Sequence, residues 1–436
     1  MHIISSYSVK IRKYSRIFND TAKIYREAVD YFIHVCLSEW NVLESIDGNL
    51  AKQRYIETCT HVTKTNKSPL FAFDQQFYKF PSYLRRSAIS AAIGKVLSYK
   101  RNLANHEAGV NHCQPSIPKA GFVFPAMYRD NCFIRTGTYT ARIKVYIRNT
   151  WDWLDVELRK SDVDYICRRY EHQGGCAPIL RKRGKKWFLD FAFEEKVKLS
   201  EVPVYNRTII AVDLGINNAC TCSVMNVEGT ILDRKFLNLS REQDSLHHAL
   251  NRVKKAQQNG AKRTPRLWAK AKSINEHIAT LTANFIIDIA SCWSADVIVF
   301  EHLNLQNKKG GGNTQRHHLW KAQRVQAMVE HKAHRLSMRI SRVCAKGTSI
   351  LAYDGSGPVK RGIDGNYSMC KFKNGKIYNC DLSASYNIGA RYFAREILKS
   401  LPETERLDIQ AKVPGCAKRT TCTLSTLLEL NAVMAV

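Results

Sequence analysis

Residues 208–226 read TIIAVDLGINNACTCSVMN. The run 209–212 is wholly apolar, Asp213 ends it, and Leu214-Gly215 turns the chain into a second apolar-rich run at 219–225. Short runs of this kind, bounded by turn residues, read as strands covered on both faces. GTILDRKFLNL at 229–239 reads as a third strand. ADVIVFE at 295–301 repeats the first pattern, an apolar strand ending on an acid. A basic helical segment at 240–293 lies between them. Beyond a glycine-rich loop and a long helical stretch to Cys344, DLSASYNIGARYFAREIL at 381–398 is a helix that opens on Asp381.

Three consecutive strands followed by helix, strand and helix make an α/β region close to an RNase H-like order. Its acids are Asp213, Glu301 and Asp381. An acid at the end of a buried strand is costly unless something cationic compensates it. Three converging carboxylates carry about −3 of charge, which suits magnesium, a hard cation that prefers carboxylate oxygen. Two such ions about 3.5–4 Å apart can activate water and stabilise a leaving oxygen in phosphodiester cleavage. Taken alone, Asp381 reads better as a helix cap.

Ahead of this region, residues 1–12 alternate like a short strand. From Asp20 to Leu43 apolar positions recur every four residues, at Ile24, Ala28, Phe32, Cys36 and Trp40, an amphipathic helix capped by Asp20 or Thr21. A second helical pattern follows Pro81 and runs to about His106. Between 114 and 199, short strand-like runs are separated by Gly137, Gly174-Gly175 and Gly184, the pattern of a small β-barrel. The expected fold is α+β and multidomain: a β-barrel wedge domain (1–15 and 113–206), an inserted helical recognition module (16–112), and an RNase H-like (RuvC) α/β nuclease domain (207–436).

Composition narrows the partners. The 436 residues include 67 Lys plus Arg against 38 Asp plus Glu, a formal net charge of +29. At an ordinary 24% charged and 44% hydrophobic, this is a folded chain with an imbalance of sign, and a polyanion is the partner that neutralises it. The 14 cysteines are irregularly spaced and 1–13 has no secretory apolar core, so a cytoplasmic, prokaryotic, nucleoid-associated setting is expected. The longest apolar stretch, 278–293, is interrupted by Asn284 and Asp288, which excludes a membrane span.

IIAVDLGINNACTCSV, VIVFEHLNL and YNCDLSASYNIGARYF resemble the three RuvC-type motifs of the transposon-encoded TnpB nucleases and of the compact type V CRISPR effectors. The acids stand at intervals of 88 and 80 residues, and the match in order and spacing covers about 207–396. The resemblance implies an RNA-guided, Mg2+-dependent DNA endonuclease with Asp213, Glu301 and Asp381 as catalytic, metal-holding acids. Its implied partners are a guide RNA and double-stranded target DNA with a short adjacent motif; monomer and homodimer both stay open. Two other readings stay open as well, a nuclease-inactive RNA-guided repressor and a guide-free, structure-specific endonuclease.

The chain departs from the family between its second and third acids. Many relatives carry two CxxC pairs there, but residues 344–381 hold only Cys344, Cys370 and Cys380, with no His, so no zinc is expected. Gly355, Gly357, Gly362, Gly365 and Gly375 suggest turns held by backbone hydrogen bonds. Ser383 stands where the family usually has Asn. Basic segments supply the candidate nucleic-acid contacts: Tyr83, Arg85 and Arg86 at a helix start; Arg181, Lys182, Arg183, Lys185 and Lys186 in a hairpin turning at Gly184; Lys254, Lys255, Arg263 and Arg266; and Lys308, Lys309 and Arg324. Core packing suits the first group just as well, and a solvated face suits the runs. The Gly310-Gly311-Gly312 run fits a lid or a plain linker.

Overall fold

The computed structural model describes residues 1–13, 15–62, 66–128, 130–170, 175–215, 218–303, 321–363 and 365–435. Lys308, Lys309 and the 310–312 glycine run lie outside the described residues. The chain divides into two compact units, His2–Glu195 and Lys196–Val436 with Met1.

In the first unit, strand β1 (His2–Lys10) precedes five helices: α1 (Ile17–Ser38), α2 (Trp40–Ser45), α3 (Asn49–Thr60), α4 (Phe73–Gln76) and α5 (Ser82–Glu107). Helix α1 starts three residues before Asp20, with the Ser15 hydroxyl accepting from the Ile17 amide at 3.3 Å. Thr21 is therefore not its cap; its Oγ1 accepts from the Tyr146 amide at 2.9 Å. The buried stripe Tyr25, Ala28, Val29 and Phe32 packs on Leu84, Ala88, Ile89 and Ala92 of α5, the spacing that an amphipathic helix pair requires. Strands β2 (Phe133–Arg135), β3 (Thr140–Ile147) and β4 (Thr150–Glu157), helix α6 (Lys160–Tyr170), and strands β5 (Ile179–Arg183) and β6 (Lys186–Lys196) complete the unit. One continuous core runs from Val9 through the helices to Leu189.

The expected β-barrel does not form. The strands make two open three-stranded sheets, β1-β6-β5 and β2-β3-β4, with an isolated bridge, Ile11–Leu158, just beyond the ends of β1 and β4. Closure needs an unbroken ladder around the whole circumference. Here the chain leaves β4 into α6 instead of continuing the ladder, and a cavity of about 410 Å3 lined by Val9, Phe133, Leu158, Ile166 and Phe191 lies between elements of the two sheets. The first strand does pair within the β5–β6 sheet.

The second unit is built on β7 (Ile209–Asp213), β8 (Cys220–Met225), β9 (Ile231–Leu237), β10 (Val297–His302) and β11 (Arg339–Cys344), in the order β11-β10-β7-β8-β9. The first three form an antiparallel meander, and β10 runs parallel to both β7 and β11. The helices are α7 (Ser240–Gln258), α8 (Pro265–Cys292), α9 (Ala322–Arg335), α10 (Cys380–Ser400), α11 (Glu403–Lys412) and α12 (Leu424–Met434). Sequence periodicity merges α7 with α8, which Pro265 separates as the first residue of a new helix. It also absorbs β11 into the helical stretch before it, because the arginines of RISRVC stand three residues apart, a helical spacing, without the alternation of a strand.

Both faces of this sheet are covered. Ile210, Val212, Val224, Ile298 and Phe300 pack under α8 and α9, whereas Ile209, Ala211, Met225, Val297 and Val299 pack under α10 and α12. Helix α10 lies close: a Cβ at Gly389 would sit 2.9 Å from Met225 Sδ and 3.3 Å from Ala211 Cβ. In place of two CxxC pairs, 360–379 forms a small antiparallel sheet of β12 (Lys360–Ile363), β13 (Asn366–Lys371) and β14 (Ile377–Asn379). Cys370, Phe372, Cys380 and Ala352 are its buried core; Gly365 and Gly375 take positive φ in the turns between its strands, and Gly362 does so at the irregularity within β12.

Candidate active site

Side chains alternate across a strand, so Asp213 and Glu301 fall on the faces of Ala211 and Val299, the side covered by α10. Val212 and Phe300 are paired in parallel register, and the two acids follow one step beyond them. Asp381 lies in the first turn of α10. Two strand ends and one helix start thus deliver the three acids to the same end of the sheet.

Asp381 is not the helix cap. Asn379 is, its Oδ1 accepting from the Asp381 and Leu382 amides at 3.0 Å each, which frees the Asp381 carboxylate. Asn218, at the far side of the β7–β8 turn, donates from Nδ2 to Asp381 Oδ2 at 2.9 Å. The Thr348 hydroxyl donates to Glu301 Oε1. All three acids are partly buried. Burial, with Glu301 and Asp381 nearby, pushes the Asp213 carboxyl well above the usual carboxylate range, and Arg361 on β12 opposes this. Burial also raises Glu301, against the Thr348 hydrogen bond and the positive charge of Arg391.

Among the described residues, no three His, Cys, Asp or Glu side chains are drawn into a metal-holding cluster. The donor set nevertheless fits a hard divalent cation: three carboxylates, with charge at Asp213 that its surroundings penalise. Beside the Leu214-Gly215 turn, a mostly apolar cavity of about 570 Å3 is walled by Leu250, Ile278, Ala279 and Val325.

Arg391 organises the supporting shell. It is 5% exposed and donates to four carbonyls, those of Cys344 (2.6 Å), Lys346 (2.9 Å), Thr420 (2.8 Å) and Cys422 (3.1 Å). Ser383 Oγ accepts from the Tyr353 amide at 3.2 Å, tying α10 to the loop before β12. Asn218, Thr348, Arg361 and Arg391 escaped the sequence reading, since their partners lie far away in the chain. Asn379 carried a usable signal, an Asn immediately ahead of a helix.

The candidate nucleic-acid residues sort differently. Arg85 is 5% exposed and bonded to Glu57 at 2.9 Å, and Arg86 shares that acid at 3.1 Å. Tyr83 packs on Tyr128 with ring centroids 5.3 Å apart. The hairpin turns at Gly184 (φ +60°), with Arg181 and Arg183 sharing buried Asp190, Lys182 bonded to Asn19, and Lys185 and Lys186 exposed. Lys254, Lys255, Arg263 and Arg266 are exposed; Arg324 is exposed but paired with Glu276 at 2.8 Å.

The strand order, with three acids near one end of the sheet, defines the class by fold: an RNase H-like α/β domain. The model of the Aq_aa04 family matches residues 5–147. The TnpB-like protein aq_aa05 of Aquifex aeolicus (strain VF5) is 28% identical over 252 residues, covering 50% of this chain and 80% of that protein. CasPhi-2 (Cas12j), solved with crRNA and phosphorothioate-DNA, has the same fold at a TM-score of 0.50 and 10% identity, over 89% of this chain and 91% of its own. The chain is thus similar to a TnpB-like protein in sequence and to a Cas12 protein in fold. No helix among the described residues is long and apolar enough to cross a membrane.

Proposed function

We propose that this protein is an RNA-guided, magnesium-dependent DNA endonuclease that acts through Asp213, Glu301 and Asp381. One observation carries the reading: two acids ending adjacent parallel strands and a third opening α10 lie at one end of an RNase H-like sheet, with Asp213 electrostatically strained by the other two. A guide RNA and a target DNA are part of this proposal, supported by the fold shared with Cas12j, solved with crRNA and phosphorothioate-DNA; a short adjacent motif in the target duplex is proposed with them.

Asp213, Glu301 and Asp381 would hold two magnesium ions, which when bound supply Lewis-acid polarisation of the scissile phosphate and an activated water. The protein supplies position. Paired strands fix Asp213 and Glu301, Asn379 takes over the capping, and Asn218 and Thr348 each orient one carboxylate oxygen. Lys185, Lys186, Lys254, Lys255, Arg263 and Arg266 would contact phosphate backbone, and Tyr83 and Arg86 the target duplex. We read the 344–380 segment as zinc-free.

The test is to sequence the RNA that copurifies with the protein and challenge the complex with a matched duplex in Mg2+. Asp213→Ala should abolish cleavage and retain binding. Cleavage by that variant at the wild-type rate overturns the acid assignment, and absence of bound RNA overturns the guided reading. The second reading of the same fold is an RNA-guided DNA-binding repressor. Such a protein binds the matched duplex and leaves it uncut.

A further inference from the structure

Strand β8 turns Cys220, Cys222 and Val224 toward α8 and α9, and Thr221, Ser223 and Met225 toward α10. Helix α10 crosses this second face in step with the strand. Met225 Sδ is the atom nearest the Cβ that Gly389 would carry, at 2.9 Å, and the Ser223 hydroxyl meets that of Ser385. Two residues back along β8, about 6.8 Å, thus match four residues back along α10, about 6 Å. The next step of the same series opposes Thr221 to Asp381.

Sheet register gives Thr221 a second neighbour. It is the cross-strand partner of Asp213, and paired side chains share one face with Cβ atoms about 4.5–5.5 Å apart. The Thr221 side chain therefore stands between the first and third acids.

Thr221 is 1% exposed, and its hydroxyl has no hydrogen-bond partner among the described residues. The next hydroxyl along the same face is satisfied: Ser223 donates to Ser385, which donates on to the Leu382 carbonyl at 2.8 Å. A buried hydroxyl without a partner carries a cost that valine, of nearly the same shape, avoids. Valine suits a strand as well as threonine does, so neither packing nor strand preference accounts for the oxygen. An orphaned polar atom beside two carboxylates points to a group that arrives with the ligand of those carboxylates. Magnesium gives up water reluctantly and keeps several molecules of it in a carboxylate site.

We propose that Thr221 is a positioning residue of the cation site, its hydroxyl hydrogen-bonded to water that a magnesium ion retains when Asp213 and Asp381 hold it. The inference rests on the reading of those acids as metal ligands. Thr221 acts through the water, fixing where the ion sits without ligating it.

The experiment uses the full chain, melted in EDTA and across a MgCl2 titration, as wild type, Thr221→Val, Thr221→Ser and Asp213→Ala. In EDTA Thr221→Val should melt at or above the wild type, because it removes a polar atom that finds no partner. Mg2+ should raise the wild-type melting temperature, and Asp213→Ala should lose that rise. The Mg2+ concentration at half the rise should be about tenfold higher in Thr221→Val, and within about twofold of wild type in Thr221→Ser, which keeps the hydroxyl. Thr221→Val melting below wild type in EDTA shows a purely structural hydroxyl and overturns the assignment. So does an unmoved Mg2+ midpoint in that variant, or a shift in Thr221→Ser as large as that of valine. A wild type that does not respond to Mg2+, or a response that Asp213→Ala reproduces, overturns the reading of the acids and the inference with it, so the two failures are told apart.

Discussion

Asn218 and Asp381 are 163 residues apart in sequence, and 2.9 Å separate the Asn218 amide nitrogen from the Asp381 carboxylate oxygen it bonds. This bond ties the turn following Asp213 to the first turn of the helix carrying the third acid. It orients one oxygen of Asp381 and leaves the other for a cation.

Asn218→Ala therefore acts on metal use before it acts on folding. Loss of an orienting partner behind a ligand weakens metal affinity or activity by about 10–100-fold. We expect the Mg2+ concentration for half-maximal cleavage to rise about tenfold, with the melting temperature nearly unchanged. A Mg2+ titration of wild type and variant with matched duplex measures it; identical titrations would show that the bond positions nothing.

Asp213→Asn should stabilise the metal-free protein. The folded state raises the Asp213 pKa, so its contribution to stability is full below the unfolded value near 4 and is lost as pH rises through the folded value. At pH 8 in EDTA the neutral amide escapes that penalty, and the melting temperature should rise by about 2–4 °C. The advantage should shrink toward pH 4 and on adding Mg2+ to both proteins. Thermal melts at the two pH values check the sign.

Arg391→Ala removes one side chain from four carbonyls that otherwise have to be solvated in the interior. A buried group left unsatisfied costs about 1–3 kcal/mol, so a loss at or above the top of that range is expected from urea unfolding. Arg391→Lys should recover only part of it, because an ammonium cannot reproduce a planar fork. Limited proteolysis should open first around 413–423, where two of the four carbonyls lie.

Cys370 and Cys380 test the fold of the segment between the second and third acids. Cys370 is buried and its Sγ donates to the Tyr378 carbonyl at 3.4 Å, and burial pushes the thiol up to about 12. A zinc-selective chelator should leave the melting temperature unchanged, and Cys370→Ala should cost about 1–2 kcal/mol as a small core truncation. Unfolding by the chelator would identify a structural zinc site instead.

The segments 209–213 and 295–301 were legible as strands because each is a short apolar run with a sharp stop, and burial on both faces leaves no other use for such runs. The three acids were legible for a related reason, since a carboxylate ending an apolar strand needs a compensating partner. Strand β11 was not, because its two arginines, three residues apart, look like the end of the preceding helix. Arg85 illustrates the reverse limit: it reads as a free cation beside aromatics, yet Glu57, 28 residues earlier, neutralises it.

By itself the sequence determined which residues alternate, which strands are fully covered and where three carboxylates interrupt them, because these depend on neighbours within a few positions. Only the tertiary structure decided that the N-terminal sheets stay open, that Asn379 rather than Asp381 caps α10, and that Arg361 and Arg391 bear on the acids. Each of those outcomes depends on which distant groups meet. Strand closure requires edge pairing, and a charge is felt only across the few ångströms that folding sets.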